Sequence, residues 1–185
     1  MGIAGWVVLG IVVVIILWFI AAYNGLIRTR NNVRNAWSQI DVQLKRRHDL
    51  IPNLVEVVKD YMGYEQEVLQ NVTKARSVAV AARGPAEAAT AEAGLTRALA
   101  GLYAVMENYP DLKANQNVSQ LQEELTSTEN KIAFARQYYN DSVMVYNTKT
   151  EVIPTNFVAN MAGFKKEEFF KAPEEEKEVP KVNLR

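Results

Sequence analysis

Hydrophobic positions in this chain fall into one unbroken block followed by three long stripes. From Ile3 to Ala22 the residues are apolar or small, and no charged side chain occurs before Arg28. Twenty such residues at a helical rise of about 1.5 Å span roughly 30 Å, the thickness of a bilayer's hydrocarbon. Trp6 lies near one end of the block and Trp18 and Tyr23 near the other, where amphipathic rings settle at headgroup level, and Arg28 and Arg30 follow directly. The pattern predicts a transmembrane anchor over residues 1–23, with Trp6, Trp18, Tyr23, Arg28 and Arg30 at the membrane interfaces. A cleaved signal peptide would need a basic start, a shorter apolar core and a small-x-small cleavage site, whereas residues 2–22 hold no Lys or Arg. Arg28, Arg30 and Arg34 follow the span and no acid appears before Asp41, so the positive-inside rule places the C-terminal domain in the cytoplasm.

After the anchor, apolar or small residues recur at Val33, Trp37, Ile40, Leu44, Ile51, Leu54, Val58, Tyr61, Val68, Val72, Ala75, Ala79 and Ala82. The steps are three and four, widening to seven where Arg47 and Glu65 occupy the stripe. This predicts one long amphipathic helix continuous with the anchor, about 120 Å from Ile3 to Ala82 if uninterrupted. Pro52 is the obstacle, because it removes a backbone donor and clashes with the preceding turn. The stripe stays in phase across it, which fits a kinked continuous helix; a break at Asp49 to Pro52 is the alternative.

Gly84 and Pro85 punctuate the chain, and a second stripe runs through Ala88, Leu95, Leu99, Leu102, Met106 and Tyr109. Pro110 and Asp111 mark the next turn. A third stripe follows at Leu112, Val118, Leu121, Leu125, Thr128, Ile132, Ala135, Tyr139, Val143 and Tyr146. Short connections force antiparallel neighbours, so the expected fold is all-α: a transmembrane helix continuing into an elongated antiparallel bundle of three to four helices. Ile153 and Pro154 end the third helix, a short helix is expected over Thr155 to Met161, and Gly163 with Phe164 begins the exit. The bundle is bounded at residues 24–164, and Lys and Glu from Lys165 onward predict a solvated, charged tail over 165–185.

Composition narrows the function. At 49% hydrophobic and 23% charged the chain is that of a folding protein, and 21 basic against 21 acidic residues give no net field to attract nucleic acid. Zero cysteines remove thiol nucleophiles and thiolate metal sites. His48 is the one histidine. The string His48, Asp49, Leu50, then Pro52 resembles a sensor-kinase phosphoacceptor box, but no phosphate-cradling loop follows to serve it, so a solvent-facing histidine is the ordinary reading. Glu123, Glu124 and Glu129 lack the Glu-x-x-His partners of a di-iron bundle, and no serine lies in a nucleophile elbow. No catalytic residue, cofactor or metal is expected.

Two interaction features stand out. Lys45, Arg46 and Arg47 form a basic triplet, usually a solvated face but here also a docking patch for an acidic partner or for Glu174 to Glu176 of a neighbouring copy. Glu129 lies beside the third stripe while Lys74 and Arg76 lie beside the first, where an ion pair would fix the register of long helices.

Several blocks follow a known pattern. Tyr23-Asn24, Arg30-Asn31, Ala36 through Leu44, Arg46-Arg47 and Asp49 through Val55 resemble the opening signature of the LemA family of bacterial membrane proteins. Tyr109-Pro110, Leu112-Lys113-Ala114, Leu121 through Leu125, Thr128 through Ile132, Ala135-Arg136, Tyr139-Asn140, Tyr146-Asn147, Ile153-Pro154 and Gly163-Phe164 continue in the family order. The resemblance implies an anchored helical bundle in the inner membrane, no established enzymatic activity, no catalytic residues to carry over, and kinship with magnetosome-type membrane-organising proteins.

The expected function is therefore a membrane-bound scaffold whose partners are the lipid bilayer and further copies of itself, with another membrane protein as a third partner class. Self-association is expected through an exposed first-helix seam at Trp37, Ile40 and Leu44, the basic triplet, and Val182 and Leu184 of the tail as a clip. The alternative is a regulatory accessory subunit of a membrane protease, transporter or signalling complex.

Overall fold

The computed structural model describes residues 2–171. These residues form six helices and no strand: α1 (Ile3–Lys59), α2 (Gln66–Ala81), α3 (Gly84–Met106), α4 (Pro110–Lys113), α5 (Gln116–Glu151) and α6 (Thr155–Met161). They divide into two compact units. One holds the residues up to Trp37 with Tyr138–Glu168; the other holds Ser38–Gln137 with residues 169–171.

In the second unit the side-chain pairings fix the helix directions. Arg76 of α2 reaches His48 of α1, and Tyr109 and Glu65 meet beyond the far ends of α3 and α2. Arg47 reaches Glu92 of α3, while Asn115 and Glu124 at the start of α5 meet Tyr61 and Arg46. Hence α2 and α5 run antiparallel to α1, and α3 runs parallel to it. The core between them includes Ile51, Leu54, Val58, Leu95, Leu99 and Leu102 from successive stripe positions, together with Met62. Each such side chain, fully buried, contributes about 1.5 to 3 kcal/mol.

The first stripe does not continue as one helix to Ala82. α1 ends at Lys59, residues 60–65 form a turn, and α2 packs back. A straight helix cannot cover its own stripe, whereas the reversal sets Val72 and Leu69 in the same core as Val58 and Ile51. Locally, Gly63 lowers helix propensity by about 1 kcal/mol, and the stripe position there is Glu65, not an apolar residue. Burial shifts by one residue at each side of the turn: Met62 and Leu69 are buried, not Tyr61 and Val68. Pro52 breaks nothing, for α1 continues through it to Lys59.

In the first unit Leu26, Val33 and Ala36 of α1 are buried, as are Tyr139, Val143 and Tyr146 of α5 and Val158 and Ala159 of α6. The Trp37 and Tyr139 rings meet edge to face at 5.7 Å between centroids. α6 ends in a Schellman motif: Gly163 adopts φ +71°, Phe164 N–H donates to the Ala159 carbonyl, and Gly163 N–H donates to that of Asn160. Only glycine takes that left-handed position without a Cβ penalty.

At the start of the run from Lys165 the charged side chains of Lys165, Lys166 and Glu168 are exposed, while the backbone is held to α5. Tyr146 Oη donates to the Lys165 carbonyl at 2.8 Å, and Tyr139 Oη donates to that of Glu168 at 2.7 Å. Asn147 holds Glu167 at both backbone groups, Nδ2 donating to its carbonyl and Oδ1 accepting its N–H, each at 2.9 Å. Solvated side chains and satisfied backbone hydrogen bonds thus coexist in this stretch. Phe164 and Phe170, buried at either end, add apolar area.

Of α1, the stretch from Ile3 to Ala22 is long and apolar enough to cross a membrane, and the other described residues do not bury it.

Candidate functional site

Three polar residues sit where the stripes demand apolar ones. Arg47 replaces a core residue on α1, and Glu92 does so on α3 between Ala88 and Leu95; with His48 they are all less than a tenth exposed. Arg47 Nη1 donates to Glu92 Oε2 at 3.0 Å, Arg47 Nη2 to Thr96 Oγ1 at 2.9 Å, and His48 Nε2 lies 2.6 Å from Glu92 Oε1. A carboxylate can only accept, so the imidazole proton lies on Nε2. Both carboxylate oxygens are thereby occupied, and the buried guanidinium has its counter-charge, without which burial would cost several kcal/mol. Burial raises the nearby Tyr103 hydroxyl above its ordinary range, with Arg47 opposing the rise and Glu129 adding to it.

The expected solvent-facing His48 is thus wrong: it faces the core, because Glu92 gives its ring a buried acceptor. Its backbone is engaged as well. Pro52 has no N–H to offer the carbonyl four residues earlier, which is that of His48, and Arg76 Nε donates to this oxygen at 2.6 Å.

Chemically the one hydroxyl of the cluster is that of Thr96, which is half-buried. The Thr96 hydroxyl accepts from Arg47, and among the described residues no group of three or more His, Cys, Asp or Glu could hold a metal ion. It is an interhelical lock.

The other candidate residues are dispersed. Trp6, Trp18 and Tyr23 are exposed along the apolar part of α1. Arg28 is exposed, while Arg30 is half-buried with its guanidinium 5.0 Å from the Phe164 ring centroid. Ile40 and Leu44 are buried inside the chain and Trp37 is half-buried, so they form no exposed seam. Other stripes of the same chain cover them, which helix length alone could not reveal. The basic triplet splits: Lys45 is exposed, Arg46 pairs at the surface with Glu124 at 3.2 Å, and Arg47 is internal. Glu129 and Lys74 are exposed, and among the described residues no ion pair joins Glu129 to Lys74 or to Arg76. The buried interhelical pair is Arg47 with Glu92. Two opposite charges on stripe positions of different helices were its signal in the sequence. Val182 and Leu184 lie outside the described residues.

The model of the LemA family matches residues 36–184. The chain belongs to the LemA family. Within it, the chain is similar to two magnetosome proteins MamQ of Paramagnetospirillum magneticum, each 25% identical over 86% of this chain and 68% of the relative. It is 24% identical to the magnetosome protein MamQ of Magnetospirillum gryphiswaldense over 80% of this chain and 64% of that one. It is 28% identical to a LemA protein of Metamycoplasma hominis over 86% of this chain and 73% of the relative. The LemA match includes Arg47, His48, Glu92 and Arg76, and so takes in the whole polar lock.

Proposed function

We propose that this LemA-family protein is a non-enzymatic scaffold, anchored in the bilayer by Ile3 to Ala22 and self-associating there. The observation that carries the reading is the uncharged twenty-residue stretch of α1, which the other described residues leave bare. Exposed apolar area on that scale is stable only in lipid or under a partner. The buried ionisable groups support a non-catalytic role, since they satisfy one another and leave no accessible nucleophile and base. Similarity to proteins named for the magnetosome fits a part in organising membrane.

Because Ile40 and Leu44 are covered, association needs another face. The groove between α2 and α3 supports one: about 980 Å³, lined by Ala75, Val78, Ala82, Ala86, Ala91 and Ala98 among others. Small side chains admit a close approach by a helix of a second copy.

The full chain, extracted in mild detergent and weighed by light scattering and native mass spectrometry, is expected to form a homogeneous self-assembly. Val78→Glu, at an exposed position in the groove, is expected to dissociate it. A monomer carrying a different polypeptide at fixed ratio would favour the accessory-subunit reading, and a chain soluble without detergent would refute anchoring.

A further inference from the structure

The exposed apolar residues of α6 and the turn before it are not explained by the scaffold reading. Ile153, Phe157 and Met161 are 76%, 67% and 72% exposed, at spacings of four, while Val158 and Ala159 on the opposite face are buried. Phe157 and Met161 are thus presented on one face of a helix whose inner face is already satisfied, and Ile153 is exposed in the turn just before it.

Their position is fixed by the residues that bracket them. On one side, Lys149 Nζ comes within 3.8 Å of where a side chain on Gly25 would begin. On the other, the Phe164 ring meets Tyr23 edge to face at 5.7 Å and carries the Arg30 guanidinium. Both brackets therefore rest on residues 23–30, the two turns that directly follow the apolar stretch. Eight residues of helix rise about 12 Å, and the headgroup layer on each side of the hydrocarbon is about 5 to 7 Å thick. Tyr23 and Gly25 lie within about the first 5 Å of that rise, so both ends of the segment from Lys149 to Phe164 meet the helix at headgroup depth. Arg28, Lys149 and Lys165 bring positive charge to the same level, and the neighbouring carboxylate of Glu151 is neutralised by Lys166.

We propose that Ile153, Phe157 and Met161 insert into the interfacial layer of the bilayer crossed by α1, making α6 a second, peripheral membrane contact that sits beside anionic headgroups. Short amphipathic helices with a cationic rim lie in this plane and bury their apolar face at the acyl boundary. A second copy would cover the apolar residues equally well but would have no use for the cationic rim at headgroup depth, and this favours lipid as the occupant. The inference rests on the proposed anchoring.

The chain has no cysteine, so single nitroxide labels can be placed cleanly. Full-length Phe157→Cys and Met161→Cys variants would be reconstituted in vesicles of phosphatidylcholine alone or equimolar with phosphatidylglycerol. Val13→Cys in the apolar stretch and Phe134→Cys, at an exposed position on α5, serve as references. Labels at 157 and 161 are expected to show a several-fold loss of accessibility to a nickel chelate relative to 134, with a gain in accessibility to oxygen, and a larger loss when phosphatidylglycerol is present. Labels at 157 and 161 as wet as 134 while 13 reads the bilayer core would overturn the proposal and leave the anchor standing. Spin–spin broadening at 157 or 161 that disappears on dilution with unlabelled protein would assign the face to a second copy instead. Equal accessibility in the two vesicle types would refute the cationic rim, and a wet label at 13 would remove the anchor and this inference together.

Discussion

Arg76 donates from Nε to the backbone carbonyl of His48 at 2.6 Å, across 28 residues of sequence. That carbonyl is the one Pro52 leaves without its intrahelical donor. A proline inside a helix of 57 residues is tolerated because α2 supplies a charged donor to the vacancy. The same residue, His48, presents its ring to Glu92 of α3, so three helices meet at one position of α1.

Arg76→Ala is expected to destabilise the detergent-solubilised chain by about 1.5 to 3 kcal/mol, the range for losing a hydrogen bond to a charged group. In a Pro52→Ala background the helix regains its own N–H, and the same substitution is expected to cost markedly less. Urea unfolding of the two single variants and the double variant measures this coupling. An Arg76→Ala cost that is unchanged by residue 52 would dissolve the link.

Glu92→Ala strands the buried Arg47 guanidinium, for which a cost of about 3 to 5 kcal/mol is expected. Arg46→Ala removes a pair whose side chains are about half exposed, 53% and 50%, and should cost less than about 1 kcal/mol. Paired thermal melts in the same detergent compare the two. Similar losses would mean that Glu92 is not the counter-charge described.

Asn147→Ala takes away both hydrogen bonds that hold the backbone of Glu167. At about 1 kcal/mol each, their loss should release residues 165–168 while leaving the helices intact. Hydrogen exchange read by mass spectrometry should speed up in that segment alone, and unaltered protection there would exclude the clamp.

Burial pushes the Tyr139 hydroxyl up to about 12, with Glu167 and Glu168 adding to the effect. An unfolded tyrosine titrates near 10, so between these values the folded state keeps a proton that the unfolded state has lost. The associated stability is complete below about pH 10 and declines as pH rises toward 12. Ultraviolet titration of tyrosinate is expected to show late-titrating tyrosines, of which Tyr139→Phe removes one. A profile unchanged by that substitution would contradict the assignment.

Much was legible in the order of residues alone. Uncharged length defined the apolar half of α1, and three-four periodicity found nearly every core position of α3 and α5, from Leu95 and Leu102 to Ile132, Tyr139 and Tyr146. Turn chemistry at Gly84-Pro85, Pro110 and Gly163 placed the breaks. These are local properties, set by side-chain spacing and backbone preference.

What tertiary structure alone decided is which stripe covers which. Periodicity says that Ile40 and Leu44 need cover but not whether it comes from the same chain, and folding supplied it from within. It also turned the chain at residues 60–65, where local propensity only permitted a turn, because a helix cannot pack against itself. The partners of the Arg47 side chain and of the His48 ring and carbonyl are 28 to 49 residues away along the chain, so the compensation for a buried charge or a missing amide is a property of the assembled bundle.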